Sequence, residues 1–154
     1  MGILRDCFGG CGSTSRKQSP TTIELLCHRF SLSQLRKSTD DFHQSRIIGE
    51  GPYGVAYRAS IYVNGQLKDI ALKRLRPANS SHRISIYKNE IILMCQLSHP
   101  NLVSLVGFCD DQDEMIMVYD YVPNGSLFHQ LHTKSATLLS WKKRLEISIG
   151  VARG

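Results

Sequence analysis

Residues 47–57 read IIGEGPYGVAY, with Gly49, Gly51 and Gly54 in the spacing G-x-G-x-x-G. Glycine at that spacing lets a backbone approach a phosphate closely, because no Cβ stands in the way. Two architectures use it. In a dinucleotide-binding unit the last glycine opens a helix whose N-terminus meets a pyrophosphate. In the other, the glycines form a flap between two strands that closes over ATP.

The residues after Gly54 decide between them. Val55-Ala56-Tyr57 is β-prone and runs on through YGVAYRASIYV, so the glycines sit between strands. Asn64-Gly65 marks a hairpin turn, since both residues tolerate positive φ. DIALKRL, residues 69–75, then reads as a third strand carrying Ala71-Leu72-Lys73. The acidic ribose ligand that a dinucleotide unit needs about twenty residues on is missing from any strand end. The flap is the better fit.

A strand lysine facing a phosphate needs a counter-charge, or its burial is costly. Glu90 supplies one seventeen residues on. It lies in HRISIYKNEIILMCQL, which places Ile84, Tyr87, Ile91 and Met94 at helical spacings of three and four. Beyond His99-Pro100-Asn101 come two apolar runs, LVSLVGF and MIMVYDYV, joined by the acidic turn DDQDE. Both read as strands. Pro123-Asn124-Gly125 breaks the chain before a short helix at SLFHQLH. SWKKRLEISIGVARG puts Trp141, Leu145, Ile149 and Ala152 on one helical face, with Ser140 as N-cap. The fold class is α+β: a five-stranded antiparallel sheet with one helix, followed by further helices. Without βαβ alternation a doubly wound parallel sheet is excluded.

At 154 residues the chain has room for one domain or a small domain with a tail. Hydrophobic residues at 42% and charged ones at 21% are ordinary for a soluble globular protein. The net charge of +6 comes from scattered Lys and Arg, not from a basic run, so nucleic-acid binding is not expected. Five cysteines, an odd number with no CxxC pair, suggest reduced thiols and neither a disulfide framework nor a zinc site.

Residues 1–27 read as a disordered tail rich in Gly, Ser, Thr and basic residues. Gly2, Cys7 and Cys11 make it a candidate for acylation and peripheral membrane association. The myristoylation pattern is incomplete, because Asp6 stands where Ser or Thr is required. One acyl chain anchors only marginally, and Cys7, Cys11 or the basic residues Arg5, Arg16 and Lys17 would add the second signal. Residues 28–46 form a second segment. In FSLSQLRKSTDDF, Phe30, Leu32, Leu35 and Phe42 line a short amphipathic helix capped by Ser31 or Ser33. Residues 47–154 hold the sheet and the later helices.

Taken jointly, the three glycines, Ala71-x-Lys73, Glu90, His99-Pro100-Asn101 and VYDYVPNGSL resemble the N-terminal lobe of a eukaryotic protein kinase. FSLSQLRKSTDDF, LVSLVGFC and LSWKKRLEISIGVARG resemble plant receptor-like and receptor-like cytoplasmic kinases of the FERONIA type, within the Pelle and interleukin-receptor-associated kinase group. The resemblance implies an ATP site. The loop Gly49-Glu50-Gly51-Pro52-Tyr53-Gly54 would cover the phosphates, and Lys73, held by Glu90, would bind the α- and β-phosphates. Tyr119 would be the gatekeeper behind the adenine. The Asp120 carbonyl and Val122 amide would meet its edge, with Ile48 and Ala71 packed against the ring.

Three departures qualify it. Ala56 stands where valine commonly packs on adenine, a loss of at most about 1.5 kcal/mol for two methyl groups. Pro52 stiffens the loop and lacks an amide to offer a phosphate. No H-R-D or D-F-G motif occurs, so the family's general base and magnesium ligands are not among these residues. The chain is therefore expected to be a truncated kinase domain, catalytically incomplete and a weak binder of ATP. Its full-length parent would use ATP and Mg2+ to phosphorylate protein Ser or Thr in receptor-linked signalling. The alternative is a non-catalytic module that binds a receptor kinase at the cytoplasmic face of the plasma membrane.

Overall fold

The computed structural model describes residues 23–24, 27–77, 81–132 and 139–154. Gly2, Cys7 and Cys11 lie outside them. In chain order the described residues form β1 (His28–Arg29), α1 (Leu32–Ser38), β2 (Ile47–Gly51), β3 (Gly54–Val63), β4 (Gln66–Leu75) and α2 (Ser81–Gln96). These are followed by β5 (Leu105–Cys109), β6 (Ile116–Asp120), α3 (Leu127–His132) and α4 (Trp141–Arg153). The strands make one sheet in the order β1-β5-β6-β4-β3-β2. The expected five strands pair antiparallel, and the two-residue β1 adds a sixth that runs parallel to β5.

The β3–β4 hairpin sets the geometry of everything that follows. Asn64 and Gly65 turn the chain with φ of 50° and 77°, as the dipeptide predicts. A two-residue turn fixes the register, so Ala56 pairs with Lys73 and Arg58 with Ala71. Across β4, Lys73 pairs with Met117 and Ala71 with Tyr119. Cross-strand partners share a face and alternate residues do too. Ala56, Ala71, Lys73, Met117 and Tyr119 therefore point to one side of the sheet.

Each face of the sheet has its own core. On one side Tyr57, Ala59, Ile61, Ile70, Leu72, Ile116 and Val118 pack with Phe30, Leu32 and Leu35 from the α1 segment. On the other, Met117 and Phe108 pack against Tyr87 and Ile91 of α2. The Tyr87 hydroxyl donates to the Cys109 carbonyl at 2.9 Å and to the Ile116 carbonyl at 3.2 Å, tying α2 to β5 and β6. Burial pushes that phenol above its ordinary range, so it stays a donor. Ile84, expected on the same helical face, is 42% exposed. It lies one turn too early to reach the sheet.

α1 is held at both ends. Ser31 is the N-cap, accepting from the Gln34 amide, while the Gln34 side chain takes the Ser31 amide at 2.9 Å to complete a capping box. At the other end Thr39 is fully buried. Its hydroxyl donates to the Leu35 carbonyl at 2.8 Å and accepts from the Phe42 amide at 3.0 Å. Thr39→Val keeps the shape but strands that amide, so urea unfolding should show a loss of about 1–3 kcal/mol.

Candidate nucleotide site

The register just described assembles a cleft of about 440 Å³. Ile48 and Ala56 line its roof, Ala71, Lys73 and Tyr119 its back, and Asp120, Tyr121 and Val122 its mouth. The lining is mostly carbon, which suits a flat heteroaromatic ring. Lys73, Asp120 and Ser126 are the polar residues among its lining. The Tyr121 amide donates to the Asp69 carbonyl at 3.2 Å, which makes residues 69 and 121 a hydrogen-bonded pair. Ile70 and Asp120 are then a non-hydrogen-bonded pair, and the Asp120 amide turns instead to the Ser104 carbonyl at 3.1 Å. The Asp120 carbonyl likewise points away from β4.

This segment is braced from outside. The Arg58 guanidinium lies 4.4 Å from the Tyr121 ring centroid and donates to Asp69 at 2.9 Å. Lys68 donates to the Asp120 carboxylate at 3.1 Å. Both ion pairs are exposed and worth little singly. Tyr121, Val103, Gly125 and Ser126 line the cleft without having been singled out in sequence. Tyr121, Gly125 and Ser126 arrive there through the bend after β6, and Val103 through the segment just before β5.

At the inner end, Lys73 Nζ donates to Glu90 Oε1 at 3.0 Å. The same oxygen accepts the Tyr119 hydroxyl at 3.0 Å. Burial, and then the Glu90 charge, push the Tyr119 phenol above its usual range, which keeps it protonated as a donor. One carboxylate oxygen thus joins β4, α2 and β6. Tyr119→Phe should cost about 1.5 kcal/mol, the low end for a hydrogen bond to a charge because the pair is partly open to water. A shift in urea midpoint with unchanged slope would measure it.

The glycines divide by cause. A Cβ on Gly54 would overlap the Arg74 carbonyl oxygen and lie 3.0 Å from the Leu75 Cα, so this glycine is required by strand packing. Gly51 has open space around it, and a Cβ on Gly49 would only touch Ala56. Pro52 and Tyr53 form the flap tip and line a second cavity of about 460 Å³ with Lys73, Leu75, Ile86 and Glu90. Glu50 turns away from the cleft and pairs with Arg76 at 2.8 Å. The expected site residues Ile48, Ala56, Ala71, Lys73, Tyr119, Asp120 and Val122 therefore meet at one cleft, with Glu90 behind Lys73.

The cleft offers a carbon-lined slot with Asp120, Tyr121 and Val122 at its mouth and Lys73 at its inner end. Among the described residues no group of three or more His, Cys, Asp or Glu is placed to hold a metal.

A two-faced lobe with a strand lysine, a helix glutamate and an interstrand glycine flap is the architecture of a protein kinase N-lobe. The family model for protein tyrosine and serine/threonine kinases matches residues 42–154, and the chain belongs to that family. It is 43% identical to the receptor-like protein kinase ANXUR2 of Arabidopsis thaliana over 129 residues, 84% of this chain and 15% of that protein. It is also 43% identical to ANXUR1 over 84% of this chain and 15% of that protein. With the receptor-like protein kinase FERONIA of the same plant it shares 40% identity over 84% of this chain and 14% of that protein. The chain thus spans about one-seventh of the length of these relatives.

Proposed function

We propose that these residues are the ATP-binding lobe of a serine/threonine kinase that transfers the γ-phosphate of ATP to protein hydroxyls in receptor-linked signalling. The observation that carries it is the 3.0 Å Lys73–Glu90 pair at the inner end of the carbon-lined cleft. Glu90 aims the ammonium, and Lys73 meets the α- and β-phosphates while the flap backbone covers them. The Asp120 carbonyl and Val122 amide hold the adenine edge, between Ile48 above and Ala71 behind. Magnesium would neutralise the phosphate charge when bound, but its family ligands are not in these 154 residues. Phosphoryl transfer by this chain alone is accordingly not expected.

Titration of the purified chain with a fluorescent ATP analogue tests the assignment. Binding should be weak, displaced by ATP, and about tenfold weaker again in Lys73→Ala, the loss of one charge-assisted contact worth roughly 1.5 kcal/mol. Equal affinity in the variant would overturn it.

A second reading rests on the apolar face of α4, where Trp141 is 73% exposed beside exposed Leu145 and Ile149. It makes the chain a non-catalytic module that binds a receptor kinase. Partner capture lost in Trp141→Ala but kept in Lys73→Ala would favour it. Among the described residues no helix is long and apolar enough to cross a membrane. Peripheral association at the cytoplasmic face of the plasma membrane is proposed through Gly2, Cys7 and Cys11, and fatty-acid labelling of wild type against Gly2→Ala decides it.

A further inference from the structure

The acidic turn between β5 and β6 and the exposed Ile84 of α2 are not used by the nucleotide cleft. They border a cavity of about 410 Å³ that shares no lining residue with it. Ile84, Tyr87 and Met115 supply carbon to this cavity, and Asp110, Asp113 and Glu114 supply carboxylates. Asp110 is held by Arg29 at 2.7 Å and Glu114 by Arg74. Asp113 is exposed and, among the described residues, has no ion-pair partner. Around the rim Glu24, Asp110, Asp111, Asp113 and Glu114 outnumber the cations Arg29, Arg74 and Lys88, so negative charge is in excess. Carbon beside an unpaired carboxylate suits a lysine or arginine, whose stem covers apolar surface while its head reaches the charge.

The chain itself leads to this cavity. Ile23, the first described residue, packs on the cluster that contains Tyr87 and Met115, two of the cavity's own residues. Glu24 lies 3.5 Å from the Arg29 guanidinium, and Arg29 in turn reaches Asp110 on the rim. The basic pair Arg16-Lys17 stands six residues before Ile23. Six extended residues span up to about 20 Å, ample for Lys17 to reach the rim. We propose that the cavity beside Ile84 is the docking site of this chain's own Arg16-Lys17 pair, with the Lys17 ammonium on Asp113.

The contact is intramolecular, so it need not be strong. Tethered by six residues, the basic pair meets the rim at an effective concentration on the order of millimolar. Docking sets residues 16–17 against Ile84, Tyr87 and Lys88, the part of α2 just before Glu90. It also withdraws Arg16 and Lys17 from any anionic membrane surface. The docking depends on charge, so salt weakens it.

The test uses the full 154-residue chain at low ionic strength, treated with a water-soluble carbodiimide, digested and mapped by mass spectrometry. A carboxylate in contact with a lysine condenses with it to an amide, with loss of one water. One dominant link, Lys17 with Asp113, is expected. In an equal mixture of isotope-labelled and unlabelled chain it should join only peptides of the same label. Trypsin should cut after Arg16 and Lys17 severalfold more slowly than in Asp113→Asn, and salt at about 0.5 M should remove the difference. Asp113→Asn and Lys17→Gln should each remove the link, and Lys17→Glu combined with Asp113→Lys should restore it. No link from Lys17 to Asp113, or links spread evenly over exposed carboxylates such as Glu50 and Glu146, would overturn the site. Mixed-label pairs would assign the cavity to a second copy of the chain and overturn docking in cis. Tryptic cleavage slowed only by added phosphatidylserine vesicles would assign the basic pair to a lipid surface instead.

Discussion

A chain that begins at Phe42, where the family match starts, should lose cooperative folding, while one that begins at Ile23 should keep it. The cause lies in the outer core. Phe30, Leu32 and Leu35 are 1%, 5% and 0% exposed, and they cover Tyr57, Ile61, Ile70, Leu72 and Val118 on one whole face of the sheet. Burial of three such side chains is worth roughly 5–9 kcal/mol. Total domain stability is only about 5–15 kcal/mol, so removing them leaves little or nothing. Arg29 adds to the attachment, donating to Asp110 at 2.7 Å and Asp111 at 2.8 Å. Gly107 shows how closely the segment is seated, because a Cβ there would overlap the His28 carbonyl oxygen and the Phe30 ring. Leu35→Ala offers a milder version, expected to cost about 2–5 kcal/mol in urea unfolding. A Phe42 chain that melts cooperatively at the original midpoint would show that α1 is an accessory.

The sequence made the site more legible than the scaffold that holds it. Lys73 could be placed because DIALKRL reads as a strand after the Asn64-Gly65 turn, and in the structure that hairpin's register sets Ala56 opposite it. Glu90 followed from helical spacing beside Tyr87 and Ile91. Both inferences are local. The parallel pairing of His28 with Gly107 is not: two residues carry no alternation, and their partner lies almost eighty positions away. For the same reason the α1 helix was visible as amphipathic while the face it covers was not. Tyr119 was expected at the back of the cleft, but its bond to the oxygen that Lys73 also uses depends on where α2 docks. The helical face at Trp141, Leu145 and Ile149 formed as its spacing required, and it stays exposed in these residues. Periodicity predicts a face, not what covers it.

The flap at Gly49, Gly51 and Gly54 had one explanation in sequence, room for phosphate, and the structure divides it into two that mutation can separate. Neither Gly51 nor Gly54 has positive φ, so alanine meets no backbone strain at either. At Gly54 the obstacle is β4 itself, the Arg74 carbonyl and the Leu75 Cα, which are backbone atoms that cannot swing aside. Gly54→Ala must push β3 off β4 two residues from the Ala56–Lys73 pair, and about 3 kcal/mol of stability should go with it. Gly51 has no heavy atom within 4 Å of an added Cβ, so Gly51→Ala should leave the urea midpoint nearly unchanged. The methyl would still stand on the flap backbone, where a phosphate must come close. If the cleft binds ATP as proposed, Gly51→Ala weakens binding several-fold at constant stability, while Gly54→Ala loses both together. Gly51→Ala binding ATP as tightly as wild type would mean that the flap does not close on phosphate, and that Gly54 is kept for the sheet alone.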